Sequence, residues 1–394
     1  MSEGGRPHRL HAVLRDGERV TPLELFFDLV FVLAITQCTA RMAHEPTWTG
    51  LGKALLVLAV LWWAWSGYAW LTSVVDPEEG AVRFVIFAAM AAFLVVALCV
   101  PEAFEDLGLT FAVAYGGVRA MHLALFALAS RGDPELRGSV TALAISSAIA
   151  IGLLAAASYA DGSAQGALWG VALLLDVGGP FIFRAGGWRL VPKHFAERFG
   201  LIFLIALGES IVAIGVGAGE HVDGGVILAA VLGIALAAAM WWAYFDVVAL
   251  VAERRLSAAA VGEEQNRMAR DSYSLLHFPM VAGVVLIALG LKTTLADVGE
   301  PLDEVPAFSL VGGLAIYLLA HVGFRLRNVR TLNKQRLLVA AVLLAAVPMA
   351  DQPDALVTLA AATALLWAMI GYEATRFAAG RDQVRHEAAA QPPS

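Results

Sequence analysis

The feature that most constrains this chain is a succession of apolar runs, each about 20 residues long, parted by short polar loops. A run of that length can cross a bilayer only as a helix, because a helix satisfies its own backbone hydrogen bonds where no water can. Spans are expected near 23–40, 52–72, 83–100, 108–129, 139–157, 166–183, 199–217, 225–251, 272–292, 308–324, 335–350 and 355–376. Of the 394 residues, 59% are hydrophobic and 15% charged, against roughly 25% charged in soluble domains. Mean hydropathy is +0.72. A water-soluble fold of this length would hold more apolar surface than it could hide, so the lipid bilayer is the expected partner. The expected class is an all-α, polytopic membrane protein of about twelve transmembrane helices. The formal net charge of −7 gives no footing to nucleic-acid binding. Residues 1–22 are polar and basic, and the acids in the first apolar run mark it as a retained span rather than a leader.

Basic residues test this map. Only Arg41, Lys53 and Lys292 fall in alternate loops on one side and Arg119 within a span, leaving 23 of the 27 lysines and arginines on the other. By the positive-inside rule that side is the cytoplasm, with both termini on it. The expected location is a bacterial plasma membrane.

The chain also repeats itself. Glu24 to Thr36 parallels Glu197 to Glu209, and Trp62-Trp63-Ala64-Trp65 parallels Trp241-Trp242-Ala243-Tyr244. Phe87 and Leu98 then match Phe278 and Leu289, His122 matches His321, and Gly179 and Arg184 match Gly371 and Arg376. The order is kept throughout, which chance likeness among apolar helices does not produce. The expected organisation is a segment 1–22, a six-helix repeat 23–184, a linker 185–198, a second repeat 199–378 and a tail 379–394. An even helix number per repeat makes the two parallel, about an axis along the membrane normal.

Ionisable groups inside a bilayer are costly and need a partner or water. Glu24 and Asp28 are four apart on one helix face near the cytoplasmic end. They read either as a helix-end cap or as an ion site. Arg119 and His122 also share a face, and a fixed mid-membrane charge demands a carboxylate from Asp176, Glu209 or Asp28. Glu209 lies deep in its span beside Ser210, in a glycine-rich setting that lets helices approach. It reads as a proton carrier or as the neutraliser of Arg119. Asp246 follows an aromatic belt at a helix end. His277 precedes Phe278-Pro279, His321 sits in the tenth span and Glu373 in the twelfth. Cys38 and Cys99 lie in apolar runs with no CxxC or Cys/His cluster, so no metal is expected. With no Walker A loop, HExxH or GxGxxG, no cofactor is expected either.

Several of these stretches carry a family likeness. The opening Glu24 to Ile35, the stretch His194 to Gly200 through Leu207-Gly208-Glu209-Ser210, Trp241 to Asp246, and His277-Phe278-Pro279-Met280 resemble the signatures of the bacterial low temperature requirement protein A (LtrA) family. The resemblance covers residues 20–378. Phe26-Phe27-Asp28 through Thr36 is also similar to the Phe-Ser-Asp signature that opens the two-repeat lysosomal and bacterial potassium channels. That second resemblance implies a pore lined by Leu33 and Thr36, with Asp28 holding a network at its cytoplasmic side. The second repeat departs from it, with Leu201 where the Asp would stand and Glu209 opposite Thr36.

Three functions follow for comparison. A transporter or cation pathway for a small ion or solute rests on the repeat and the intramembrane acids. An intramembrane enzyme acting on a lipid or isoprenoid requires Glu24, Asp28, Asp246, His277 and His321 to converge. A non-catalytic component in cold or envelope adaptation requires neither. The first is the expected function, and a homodimer is among the assemblies such a chain can form.

Overall fold

A computed structural model describes residues 19–78, 80–182, 187–219 and 222–389. Parts of the expected terminal segments and of the linker, together with Arg184 and the loop positions 79, 220 and 221, lie outside the described residues. Among the described residues the fold is all helical, with no β-strand.

The helices are α1 Pro22–His44, α2 Trp48–Thr72, α3 Val82–Cys99, α4 Gly108–Ala129, α5 Pro134–Ala157, α6 Gly162–Ile182 and α7 Pro192–Ala218. They continue as α8 Gly224–Phe245, α9 Val248–Ala258, α10 Glu263–Met268, α11 His277–Ala296, α12 Glu304–Val329, α13 Lys334–Ala346, α14 Ala355–Arg376 and α15 Ala378–Ala389. A π-helical turn, Ala269–Leu275, leads from α10 into α11. Among the described residues ten helical stretches are long and apolar enough to cross a membrane. Large apolar side chains that face outward, such as Phe84 at 72% exposure and Leu174 at 71%, suit lipid and not water. The chain is a multi-span membrane protein.

Two of the expected twelve spans fall outside those ten. The run 335–350 holds only the 13-residue α13 and a short 3-10 turn containing Pro348. Thirteen residues rise about 20 Å, short of the roughly 30 Å hydrocarbon core. The run 166–183 coincides with α6, which carries Asp176. The expected eighth span also differs. α8 stops at Phe245, turns at Asp246–Val247 and resumes as α9. The expected linker is partly helical too, because α7 begins at Pro192.

Helix starts follow local chemistry. Thr21-Pro22-Leu23-Glu24 forms a reciprocal cap. Glu24 Oε2 accepts from the Thr21 backbone N–H at 2.8 Å, and Thr21 Oγ1 accepts from the Glu24 N–H at 3.3 Å. Asp133 caps α5 ahead of Pro134, and Asn333 caps α13.

The chain divides into two compact units, Met1–Phe31 with Trp63–Val191, and Val32–Trp62 with Pro192–Ser394. In the first, α3 packs on α4, α4 on α5 and α5 on α6. Phe27, Tyr68, Phe31, Trp65 and Phe93 form one aromatic cluster there. In the second, α7, α8, α14, α13, α12 and α11 form a closed ring of neighbours. α11 is buried on every side from Met280 to Leu291. Its contact with α12 is close because Gly283 and Gly290 carry no side chain. A Cβ on Gly283 would lie 2.7 Å from the Gly313 carbonyl, and one on Gly290 would lie 2.6 Å from Leu310 Cβ.

Candidate functional site

In the first unit the mid-membrane arginine has its acid. Arg119 on α4 donates to Asp176 on α6 at 2.8 Å and to Ser147 on α5 at 2.6 Å. Ser147 donates to the same carboxylate oxygen at 2.6 Å, and Tyr115 donates to the other at 2.8 Å. All four groups are buried. Of the three acids open to Arg119, Asp176 is the one it pairs with. His122 lies one turn on, against Tyr68 and Phe126. Gly67 leaves room for both: a Cβ there would come within 3.0 Å of the His122 ring and 3.2 Å of Arg119 Nη1.

The two acids of α1 have separate tasks. Glu24 caps the helix, while Asp28 accepts from Trp65 Nε1 at 2.8 Å. Leu33 and Thr36 follow on the same helix and are half-buried.

Thr36 and Glu209 meet in the second unit. Thr36 Oγ1 donates to Glu209 Oε2 at 2.6 Å. Thr36 lies about 12 Å from the C-terminal end of α1, and Glu209 about 14 Å from that of α7, at 1.5 Å per residue. That depth is near the middle of a hydrocarbon core of roughly 30 Å. Glu209 is 2% exposed, and the adjacent Ser210 is fully buried with no hydrogen-bond partner for its hydroxyl.

A second polar group gathers around Tyr244. Its hydroxyl lies 2.8 Å from His277 Nε2, while His277 Nδ1 lies 3.0 Å from the Ser272 carbonyl on the π-helical turn. A carbonyl only accepts, so a neutral ring carries its proton on Nδ1 and takes the Tyr244 hydrogen on Nε2. Tyr273 stacks on His277 at 5.1 Å between centroids, and Phe199 and Phe324 pack edge-on. On the other side of Tyr244, His321 Nδ1 lies 2.9 Å from Arg336 Nη1. Arg336 grips Glu373 through two nearly parallel bonds, 3.1 and 3.0 Å, and Asn333 adds a third at 3.0 Å. The hydropathy map put Arg336 among the loop arginines. Two signals pointed to it: Glu373 within a span needs a cation, and Asn333 is spaced to cap the helix that carries Arg336.

Asp246 stands apart from these groups, at the break between α8 and α9. Arg381 and Arg385 of α15 both engage its carboxylate. Arg254 of α9 also donates to the Val384 carbonyl at 2.8 Å. His277 and His321 therefore converge on Tyr244, while Asp246 is held by the tail helix. Glu24 and Asp28 belong to the other unit. Among the described residues no group of three or more His, Cys, Asp or Glu could hold a metal ion.

Comparison with known proteins agrees with the motifs. The family model described as "Bacterial low temperature requirement A protein (LtrA)" matches residues 19–371. A relative from Rhizobium meliloti (strain 1021), "Uncharacterized protein RA0937", is 30% identical over 330 residues, covering 79% of this chain and 78% of the relative. No solved structure matches. The signature residues Glu24, Asp28, Glu209, Asp246 and His277 all lie within the matched region, and the chain belongs to the bacterial low temperature requirement A (LtrA) family.

Proposed function

We propose that this protein is a membrane transporter or cation pathway running along α1 and α7, the helices that open two parallel six-helix halves, 23–184 and 199–378. The observation that carries this reading is the Thr36–Glu209 hydrogen bond. The repeat pairs Glu24 with Glu197, an offset of 173, and the same offset pairs Thr36 with Glu209. These two residues, 173 apart, bond to each other at 2.6 Å. Equivalent positions of two parallel repeats can touch only on the axis that relates them, and such an axis is where paired halves place a shared pathway. The order of packing supports the same repeat, since α3, α4, α5 and α6 follow one another as α11, α12, α13 and α14 do. Each half also ties its sixth helix to a buried arginine, Asp176 to Arg119 and Glu373 to Arg336. In this reading α6 and α13 complete the twelve spans. Both termini lie in the cytoplasm of a bacterium whose plasma membrane holds the protein.

Reconstitution tests it. Purified protein in liposomes is expected to move potassium, sodium or protons under an imposed potential, and Glu209→Gln is expected to abolish that movement. Asp28→Asn should weaken it by loosening the Trp65 bond that sets α1. Wild-type vesicles that pass none of these ions overturn the proposal.

A further inference from the structure

We infer that the species handed across the Thr36–Glu209 contact is the proton and not a dehydrated alkali cation. This inference rests on the pathway reading above and names its substrate. An alkali ion stripped of water needs a shell of oxygens, which membrane proteins commonly supply from backbone carbonyls. Such carbonyls become available where a helix unwinds. α1 and α7 are unbroken through residues 36 and 209, so their carbonyls are engaged within the helices. Thr39 Oγ1 reaches the Ile35 carbonyl at 3.3 Å and also meets the Glu209 carboxylate. The side-chain oxygens at the contact are the Glu209 carboxylate and the Thr36 and Thr39 hydroxyls, with the Ser210 hydroxyl on the next residue. All come from one turn of each helix, with no backbone carbonyl to complete a shell. Buried neighbours along the two helices, Ala34, Ile35, Cys38, Ala206 and Ala213, add none.

A proton needs far less. Hydronium at one side gives its proton to a Glu209 oxygen and leaves as water. The O–H bond so formed breaks when the proton passes to water on the other side. Thr36 serves both states, because its hydroxyl donates to the carboxylate and its oxygen accepts from the acid. The charged or titratable groups coupled to this site are Cys38, Arg41 and Lys292. Glu24, Asp28 and His44 on α1, Lys193, His194, Glu197 and Arg198 on α7, Glu253, Arg254 and Arg255 on α9, Tyr244 on α8 and His277 on α11 lie farther along the helices packed here. Cys38 and Arg41 lie within two turns of Thr36. Lys292, near the C-terminal end of α11, is the cation whose charge acts on Glu209, while His277 and Tyr244 bond each other at the opposite end of α11.

The experiment uses the full chain in liposomes loaded with a pH-sensitive dye, beside matched vesicles that report potassium and sodium. Proton flux is expected from wild type and is expected to fall about a hundredfold in Glu209→Gln. Potassium and sodium are expected to leak as they do from empty vesicles. Infrared difference spectra of wild type across pH should also show one protonated carboxyl band that Glu209→Gln removes. Potassium or sodium flux through wild type that Glu209→Gln removes, or a missing carboxyl band, overturns the proton assignment and leaves the pathway reading standing. Vesicles that pass none of the three ions overturn both.

Discussion

Arg119 and Asp176 hold each other at 2.8 Å, with Ser147 and Tyr115 filling the remaining positions on the carboxylate. Removing one member of a buried pair strands the other charge, which costs on the order of 3–5 kcal/mol. Asp176→Ala is therefore expected to lower stability by about 3 kcal/mol or more in thermal unfolding of the detergent-solubilised protein. Replacing both charges, Arg119→Met with Asp176→Leu, is expected to recover most of that loss. A double variant as unstable as the single one would show that the stranded charge is not the cause. That Arg119 needed an acid was legible in the sequence, since its charge is fixed. Which acid it took was not, because the choice depends on which helices α4 touches. Glu209 is as eligible by sequence and is bonded to Thr36 instead. Tyr115 and Ser147 carry no charge and gave no sign of their part in the pair.

At the scale of elements, apolar run length located the helices well and their interruptions poorly. The run 225–251 reads as one span, yet the helix stops before Asp246, where two arginines of α15 neutralise the carboxylate. Hydropathy averages over such a break. The cap at Thr21-Pro22-Leu23-Glu24 is one of the two readings that the sequence allows for Glu24, because its chemistry is local. The grip of α15 on Asp246 joins residues 135 apart. It has a testable consequence. Asp246→Asn is expected to free the tail helix, so that trypsin cuts at Arg381 and Arg385 faster than in wild type while the rest of the chain stays protected. Unchanged cleavage would mean that the Arg254–Val384 contact and α14 hold the helix without the ion pairs.

For the whole molecule, the asymmetry of lysine and arginine orients the proposed spans, and it can be checked directly. Glu263→Cys lies in the connection between α9 and α11 on the basic side, and Asp303→Cys lies in the loop before α12 on the side poor in lysine and arginine; both positions are exposed. In intact bacterial cells, an impermeant thiol reagent applied from outside is expected to label Asp303→Cys. It should reach Glu263→Cys only after the cells are opened. The native Cys38 and Cys99 are buried and set a low background. The reverse pattern would invert the orientation.

The sequence by itself determined the class of solvent, the helical character and the family. Each of these is written in local composition or in short motifs that need no partner. Apolar runs about 20 residues long admit only helices in lipid, and the signatures around Glu24, Glu209, Asp246 and His277 are short runs read directly from the chain. Only the tertiary structure decided the pairings: Arg119 with Asp176, Arg336 with Glu373, Tyr244 with His277, and Thr36 with Glu209. In a chain whose helices are apolar on nearly every face, hydropathy cannot say which face meets which neighbour. That choice is made by small residues that let backbones approach, as at Gly283 and Gly290, and by the few polar groups that must find one another once water is gone.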